Sequence, residues 1–114
     1  PEGERWDQLH LAGVYDAKQR KGQIQLLKQL NIKNVRLGLP NHIIDAENNW
    51  DFFTEILQDF TAADLKISLD LQHFGLPARF RNPLNPQNSL YLNPEWPDHF
   101  VAFSMEAIKR YGHE

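Results

Sequence analysis

The residues best suited to chemistry follow an apolar run in the second half of the chain. The run from Ile67 to Leu71 leads into Gln72, His73 and Phe74, and Pro77 ends it. An amide and an imidazole can donate hydrogen bonds to hydroxyl groups, and an aromatic ring beside them can stack on a sugar or a base. The run predicts a buried strand of a parallel sheet, with Gln72 and His73 at its carboxyl end, where ligand sites form. The alternative is a histidine whose hydrogen bonds are satisfied inside the core.

A second pair of residues could support that site. Arg36 lies within a short apolar strand predicted from Lys33 to Leu39, and a buried cation there needs a partner. Asp70 on the neighbouring strand is the expected partner, either in a structural ion pair inside the sheet or in a pair where the arginine holds a catalytic carboxylate. In a regular strand His73 faces away from Asp70 and Gln72, so all three share a pocket only if the strand bends near its end.

Helices and strands alternate along the chain. The apolar spacing and the capping residues predict helices from Ala17 to Leu30, from Trp50 to Leu65 and from Pro94 to Tyr111, with loops at 41–49 and 74–93. Asp16 is the expected N-cap of the first helix, and Asn31 its expected C-cap. Arg20 is expected on the solvated face of that helix, and Asp45 in the solvated loop that follows the first strand.

The element order predicts a single α/β domain over residues 1–114, with the order α-β-α-β-α and two parallel strands. Two parallel strands do not form a stable sheet alone, and their bare apolar edges favour aggregation. The pattern therefore indicates one piece of a larger α/β domain.

Composition excludes several function classes. The formal net charge of −3 gives no attraction to nucleic acid or to an anionic membrane, and the absence of cysteine excludes thiol chemistry. The histidines, among them His99, have no metal-ligand spacing, and there is no glycine-rich phosphate loop, so we expect no metal and no cofactor. No apolar run reaches membrane-spanning length, the amino terminus lacks a signal-peptide core, and we predict a cytoplasmic location.

Three segments resemble family 1 glycoside hydrolases, the β-glucosidase-like (β/α)8 barrels. The segment Leu71-Gln72-His73-Phe74-Gly75-Leu76-Pro77 is similar to the His-Trp-Asp-Leu-Pro segment of their third strand. The segment Asn34-Val35-Arg36-Leu37-Gly38 is similar to the Tyr-Arg-Phe-Ser segment of their second strand, and the helix ending at Tyr111-Gly112 is similar to the stretch before their fourth strand. The amino-terminal third is also similar to barrel domains fused to sugar-nucleotide reductases.

The resemblance implies a partial (β/α)8 barrel, a carbohydrate substrate and roles for four residues. His73, with Gln72 beside it, would bind sugar hydroxyls, Phe74 would form part of the pocket wall, and Arg36 would orient the carboxylate nucleophile. Gly75 replaces an acidic residue of the family. Neither catalytic glutamate of the family has a counterpart among the 114 residues, so we name no catalytic residue and expect the chain alone to be inactive.

Two other functions fit the same sequence. The chain could be a non-catalytic carbohydrate-binding module that uses Gln72, His73 and the 74–93 loop. It could instead be a small α/β interaction protein whose apolar strand edges mediate self-association.

Overall fold

The computed structural model describes residues 8–72, 77–80 and 93–112. Five helices and two strands are present there, with a 3-10 turn at Ala78–Phe80: α1 (Gln8–Leu11), α2 (Ala17–Gln29), β1 (Asn34–Gly38), α3 (Asn41–Glu47), α4 (Asp51–Ala62), β2 (Lys66–Asp70) and α5 (Trp96–Tyr111). The two strands are parallel neighbours, and the pairing runs from Asn34 opposite Lys66 to Gly38 opposite Asp70. The expected mixed α/β architecture with a parallel strand pair is confirmed.

The two faces of this sheet differ in chemistry. Side chains alternate along a strand, so the register places Val35, Leu37, Ile67 and Leu69 on one face. These four pack against the main hydrophobic core. The opposite face carries Arg36, Ser68 and Asp70, and the first two are exposed. Within the described residues, the helices therefore cover one face of the sheet, and the polar face is largely exposed.

The core under the apolar face comes mainly from α4 and α5. The stripe predicted for α4 is buried as expected at Phe53, Ile56, Leu57 and Phe60. Trp50, just before α4, stacks on Phe103 of α5 with ring centroids 4.9 Å apart. These contacts fix both helices against the strands.

The prediction for α2 is right at its start and partly right on its faces: of the apolar stripe expected at Ile24, Leu27 and Leu30, Ile24 is buried and Leu27 is half-buried. Asp16 Oδ1 accepts a hydrogen bond from the Gln19 backbone N–H at 2.8 Å, so Asp16 is the N-cap. Leu30, expected in the buried stripe, is 62% exposed. Arg20, expected in solvent, is 2% exposed and donates to the Val14 carbonyl and to Asp59, each at 2.8 Å. Arg20 also donates a hydrogen bond to Glu55 at 2.9 Å. Its ion pairs with Glu55 and Asp59 therefore connect α2 to α4.

Two other expectations need correction. Residues 41–49, expected to be a loop, contain the helix α3 (Asn41–Glu47), which places Ile43 and Ile44 in buried positions. Helix α4 ends at Ala62, three residues before the predicted Leu65, because Asp64 adopts a left-handed backbone conformation with φ of 66°. Asn31 and Asn48 take the same conformation after α2 and α3, so polar residues end three helices.

Strand β2 is also shorter and less buried than predicted. It ends at Asp70, so Gln72 lies beyond the strand rather than at its last position. Ile67, Leu69 and Leu71 are half-buried, because the second strand has a paired neighbour on one edge only within the described residues. No helix in these ranges is long and apolar enough to cross a membrane.

Candidate functional site

Arg36 and Asp70 form an ion pair on the open polar face of the sheet. Arg36 lies opposite Ser68, so its side chain reaches forward along β2 toward the carboxyl end. The side chain of Arg36 is 69% exposed and that of Asp70 is 18% exposed. The expected pair is therefore present, but on a solvated face rather than inside the sheet. Because Arg36 is largely exposed, such a pair adds little stability.

Asp70 also organises the turn that leaves β2. Its Oδ1 accepts a hydrogen bond from the backbone N–H of Gln72 at 3.3 Å, while Oδ2 faces Arg36. Leu39, just after β1, donates its backbone N–H to the Asp70 carbonyl at 2.9 Å, which aligns the ends of both strands. Gln72 is half-buried beside this turn. His73 and Phe74 come next in the chain and lie outside the described residues.

A second group of polar side chains comes from the segments that follow β1 and β2 in the sequence. This polar cluster contains Asn41 and Asp45 of α3, Arg79 of the 3-10 turn and His99 of α5. Arg79 makes a two-pronged contact with Asp45, from Nε to Oδ2 and from Nη2 to Oδ1, each at 3.0 Å. The same Nη2 contacts His99 Nδ1 at 2.9 Å, and His99 Nε2 contacts Asn41 Oδ1 at 3.0 Å.

These contacts determine the protonation state of His99. The guanidinium of Arg79 can only donate, so Nδ1 of His99 accepts, and Nε2 carries the proton that it donates to Asn41. Partial burial, and then the positive charge of Arg79, lower the pKa of His99 below its ordinary value, while Asp45 acts in the opposite direction. The hydrogen bond to Asp45 raises the pKa of Arg79. The cluster holds a neutral imidazole between an arginine and an amide.

The ring of His99 is also held by aromatic neighbours. Its centroid lies 4.8 Å from that of Phe80 and 5.5 Å from that of Trp96, and it stacks on Phe103 at 5.9 Å. Arg79 places its guanidinium carbon 4.3 Å from the centre of the Phe80 ring. Asn41 is completely buried, and among the described residues its Nδ2 has no hydrogen-bond partner.

No family model, no curated protein and no solved structure matches this chain.

Sequence reasoning missed the polar cluster. Asp45 was expected to be solvated, and His99 was considered only as a metal ligand. The available signal was the spacing of Asn41 and Asp45, which lie four residues apart and so share one face once α3 is a helix. Within the described ranges, no group of three or more histidine, aspartate or glutamate side chains could hold a metal ion.

The lowered pKa of His99 makes the stability of the fold depend on pH. The neutral form is favoured in the folded state, so its contribution is complete above the ordinary pKa of 6.5 and is lost as the pH falls through the lowered folded value. We expect the urea midpoint of the natural chain to drop between pH 7.5 and pH 5.

His99→Gln should make that drop smaller, because glutamine does not titrate. His10→Gln, at an exposed position of α1, controls for the replacement of a histidine by glutamine, and the drop in His99→Gln is compared with the drop in this variant. An unaltered pH dependence in His99→Gln would show that other groups cause the drop.

Proposed function

We propose that this chain is part of a glycoside-hydrolase-like (β/α)8 barrel acting on β-linked sugars, to which it contributes sugar-binding and nucleophile-supporting residues. The observation that carries the proposal is the Arg36–Asp70 pair on the uncovered polar face of a parallel sheet, directly before Gln72 and His73. In a barrel, helices cover the outer face and ligands bind at the carboxyl ends of the strands. In this sheet too, the apolar face packs against the core under the helices, and Arg36, Ser68 and Asp70 lie on the other face.

The roles are those that the resemblance to family 1 glycoside hydrolases implies. His73 donates a hydrogen bond to a sugar hydroxyl, Phe74 offers an apolar ring face, and Gln72 adds amide donors at the end of β2. Arg36 supports a carboxylate: within this chain it holds Asp70, and in the larger barrel it would orient the nucleophile. Retaining hydrolysis needs two carboxyl groups about 5–5.5 Å apart across the glycosidic bond. Asp70 alone does not satisfy that requirement.

We expect the 114-residue chain to bind a simple β-glycoside weakly and not to hydrolyse it. In an NMR titration with methyl β-glucoside, the backbone amide signal of Gln72 should shift. His73→Ala should weaken the binding by about two- to tenfold, since one hydrogen bond contributes about 0.5–1.5 kcal/mol. His10→Ala, at an exposed histidine of α1, should titrate like the natural chain.

Each result discriminates between the possible functions. Absence of any shift with the sugar contradicts the proposal and favours a module that only mediates association. Steady hydrolysis of an aryl glycoside that disappears in Arg36→Ala contradicts the expectation of inactivity, because the chain would then contain a complete catalytic pair.

A further inference from the structure

The 3-10 turn at Ala78–Phe80 is packed separately from the main core. Phe80 is 1% exposed, and its ring lies edge-on to Trp96 with centroids 5.6 Å apart. Within the described residues these two side chains form a small hydrophobic cluster of their own, with Phe100 beside it. The Phe80 carbonyl also accepts a hydrogen bond from Asn93 Nδ2 at 3.1 Å. Because this cluster is small, the turn can open locally while the main core stays folded.

Arg79 attaches the same turn to two helices. Its guanidinium reaches Asp45 on α3 and His99 on α5, so one side chain bridges both. The side chain of Arg79 is 54% exposed, so water can take the place of its partners when a contact is lost. The position of the turn therefore depends on how well Asp45 and His99 hold this arginine.

The contact between Arg79 and His99 requires one protonation state. Nδ1 of His99 accepts from Nη2 of Arg79 at 2.9 Å, while Nε2 donates to Asn41 Oδ1 at 3.0 Å. A proton on Nδ1 would remove the acceptor and place two cations side by side. The imidazolium would then compete with Arg79 for the carboxylate of Asp45. Arg79 and Asp45 are the charged groups that act on His99, and Glu95, just before α5, acts on Arg79.

We propose that the polar cluster is an acid-sensitive latch, in which protonation of His99 detaches Arg79 and lets the 3-10 turn open from α3 and α5. Histidine is the side chain whose charge ordinarily changes nearest to neutral pH. At neutral pH the imidazole accepts from Arg79, and the turn stays docked. As the pH falls, the protonated form favours the open turn, in which Phe80 and Trp96 no longer cover each other. The latch requires neither a sugar nor a larger barrel, so it goes beyond the proposed function.

The pH range of the latch follows from the surroundings of His99. Partial burial and the charge of Arg79 lower the pKa of His99 in the docked state. The docked turn is therefore fully favoured above the ordinary pKa of 6.5, and this preference is lost as the pH falls through the lowered value.

The experiment follows amide hydrogen exchange by NMR in the natural chain between pH 7.5 and pH 5. Phe80, whose N–H donates to the Pro77 carbonyl at 3.1 Å, reports on the turn, and Ile56 of α4 reports on the main core. Exchange rates, corrected for the intrinsic effect of pH, give the open fraction at each residue. At Phe80 this fraction should rise about two- to tenfold, the effect of losing one hydrogen bond. The rise should share its midpoint with the titration of the His99 ring signals, while the open fraction at Ile56 stays far smaller.

Two variants and one control test the parts of the latch. His99→Gln should abolish the rise at Phe80, because glutamine offers both an acceptor and a donor but does not titrate. Arg79→Gln should raise the open fraction at Phe80 already at pH 7.5. Arg110→Gln is the matched control, because Arg110 is also a partly exposed arginine in an ion pair, with Glu106. It should behave like the natural chain.

Four results would overturn the proposal. The first is an open fraction at Phe80 that does not change with pH, or that changes with a midpoint different from that of His99. The second is an equal open fraction at Phe80 and Ile56, which would mean that the turn opens only when the whole chain unfolds. The third is a rise that persists in His99→Gln, and the fourth is an Arg79→Gln variant that behaves like Arg110→Gln. None of these results bears on the sugar titration, so failure here leaves the proposed function standing.

Discussion

Replacing Arg20 with alanine should lower the free energy of unfolding by about 3 kcal/mol, measured by urea denaturation at pH 7. Arg20 is 2% exposed and bonds to Asp59, Glu55 and the Val14 carbonyl. The side chains of Asp59 and Glu55 are 46% and 63% exposed, so water can solvate both carboxylates when the arginine is removed. The larger costs are the cavity left by a long side chain and the loss of the partner of a buried carbonyl.

Arg110→Ala is the matched control for this change. Arg110 pairs with Glu106 one helical turn away on α5, and its side chain is 40% exposed. An exposed ion pair of this kind contributes less than about 1 kcal/mol. If the two variants lose equal stability, the bridge between α2 and α4 is not a main support of the fold.

Phe53→Ala should cost about 4 kcal/mol, the largest single effect expected in the chain. Phe53 is 0% exposed at the centre of the main core, and its ring contacts Phe52 and Tyr111 at centroid distances of 6.5 and 6.1 Å. Small domains have only about 5–15 kcal/mol of stability in total. We therefore expect Phe53→Ala to be partly unfolded at 37 °C, as measured by far-UV circular dichroism.

Phe52→Ala tests whether position or residue type causes that loss. Phe52 is the preceding residue of α4 and is half-buried, with its ring edge against Tyr15 at 6.0 Å. Phe52→Ala removes less buried apolar area than Phe53→Ala does. The free energy of unfolding should therefore fall by about half as much. Equal losses at the two positions would contradict the placement of Phe53 at the centre of the core.

Local patterns in the sequence predicted most of the secondary structure. The capping aspartate at position 16 and the apolar stripe of α4 are local signals, and both behave as expected. The start of α5 was predicted two residues too early: the helix begins at Trp96 rather than at Pro94, after a turn in which Asn93 Oδ1 accepts the backbone N–H of Glu95 at 2.8 Å. Helix α3 was missed because seven residues after a proline contain too few apolar positions for a period to be recognised.

The side-chain pairings that depend on distant segments were harder to predict. Arg36 and Asp70 could be matched because parallel strands set their register. Arg20 looked solvated because its partners lie 35 and 39 residues away on another helix. Asp45, Arg79 and His99 come together from three separate segments, so no local spacing connects all three.

The bridge made by Arg20 also has a consequence for how the chain folds. Its partners on α4 are 35 and 39 residues away, and the strands pair across 32 residues, from Asn34 to Lys66. Closing loops of this length has a modest entropic cost that grows slowly with length. The Arg20 bridge and the strand pair enclose overlapping stretches of the chain, from α2 to β2. Once one of them has formed, the loop that the other must close is shorter, so the second closes at a lower entropic cost.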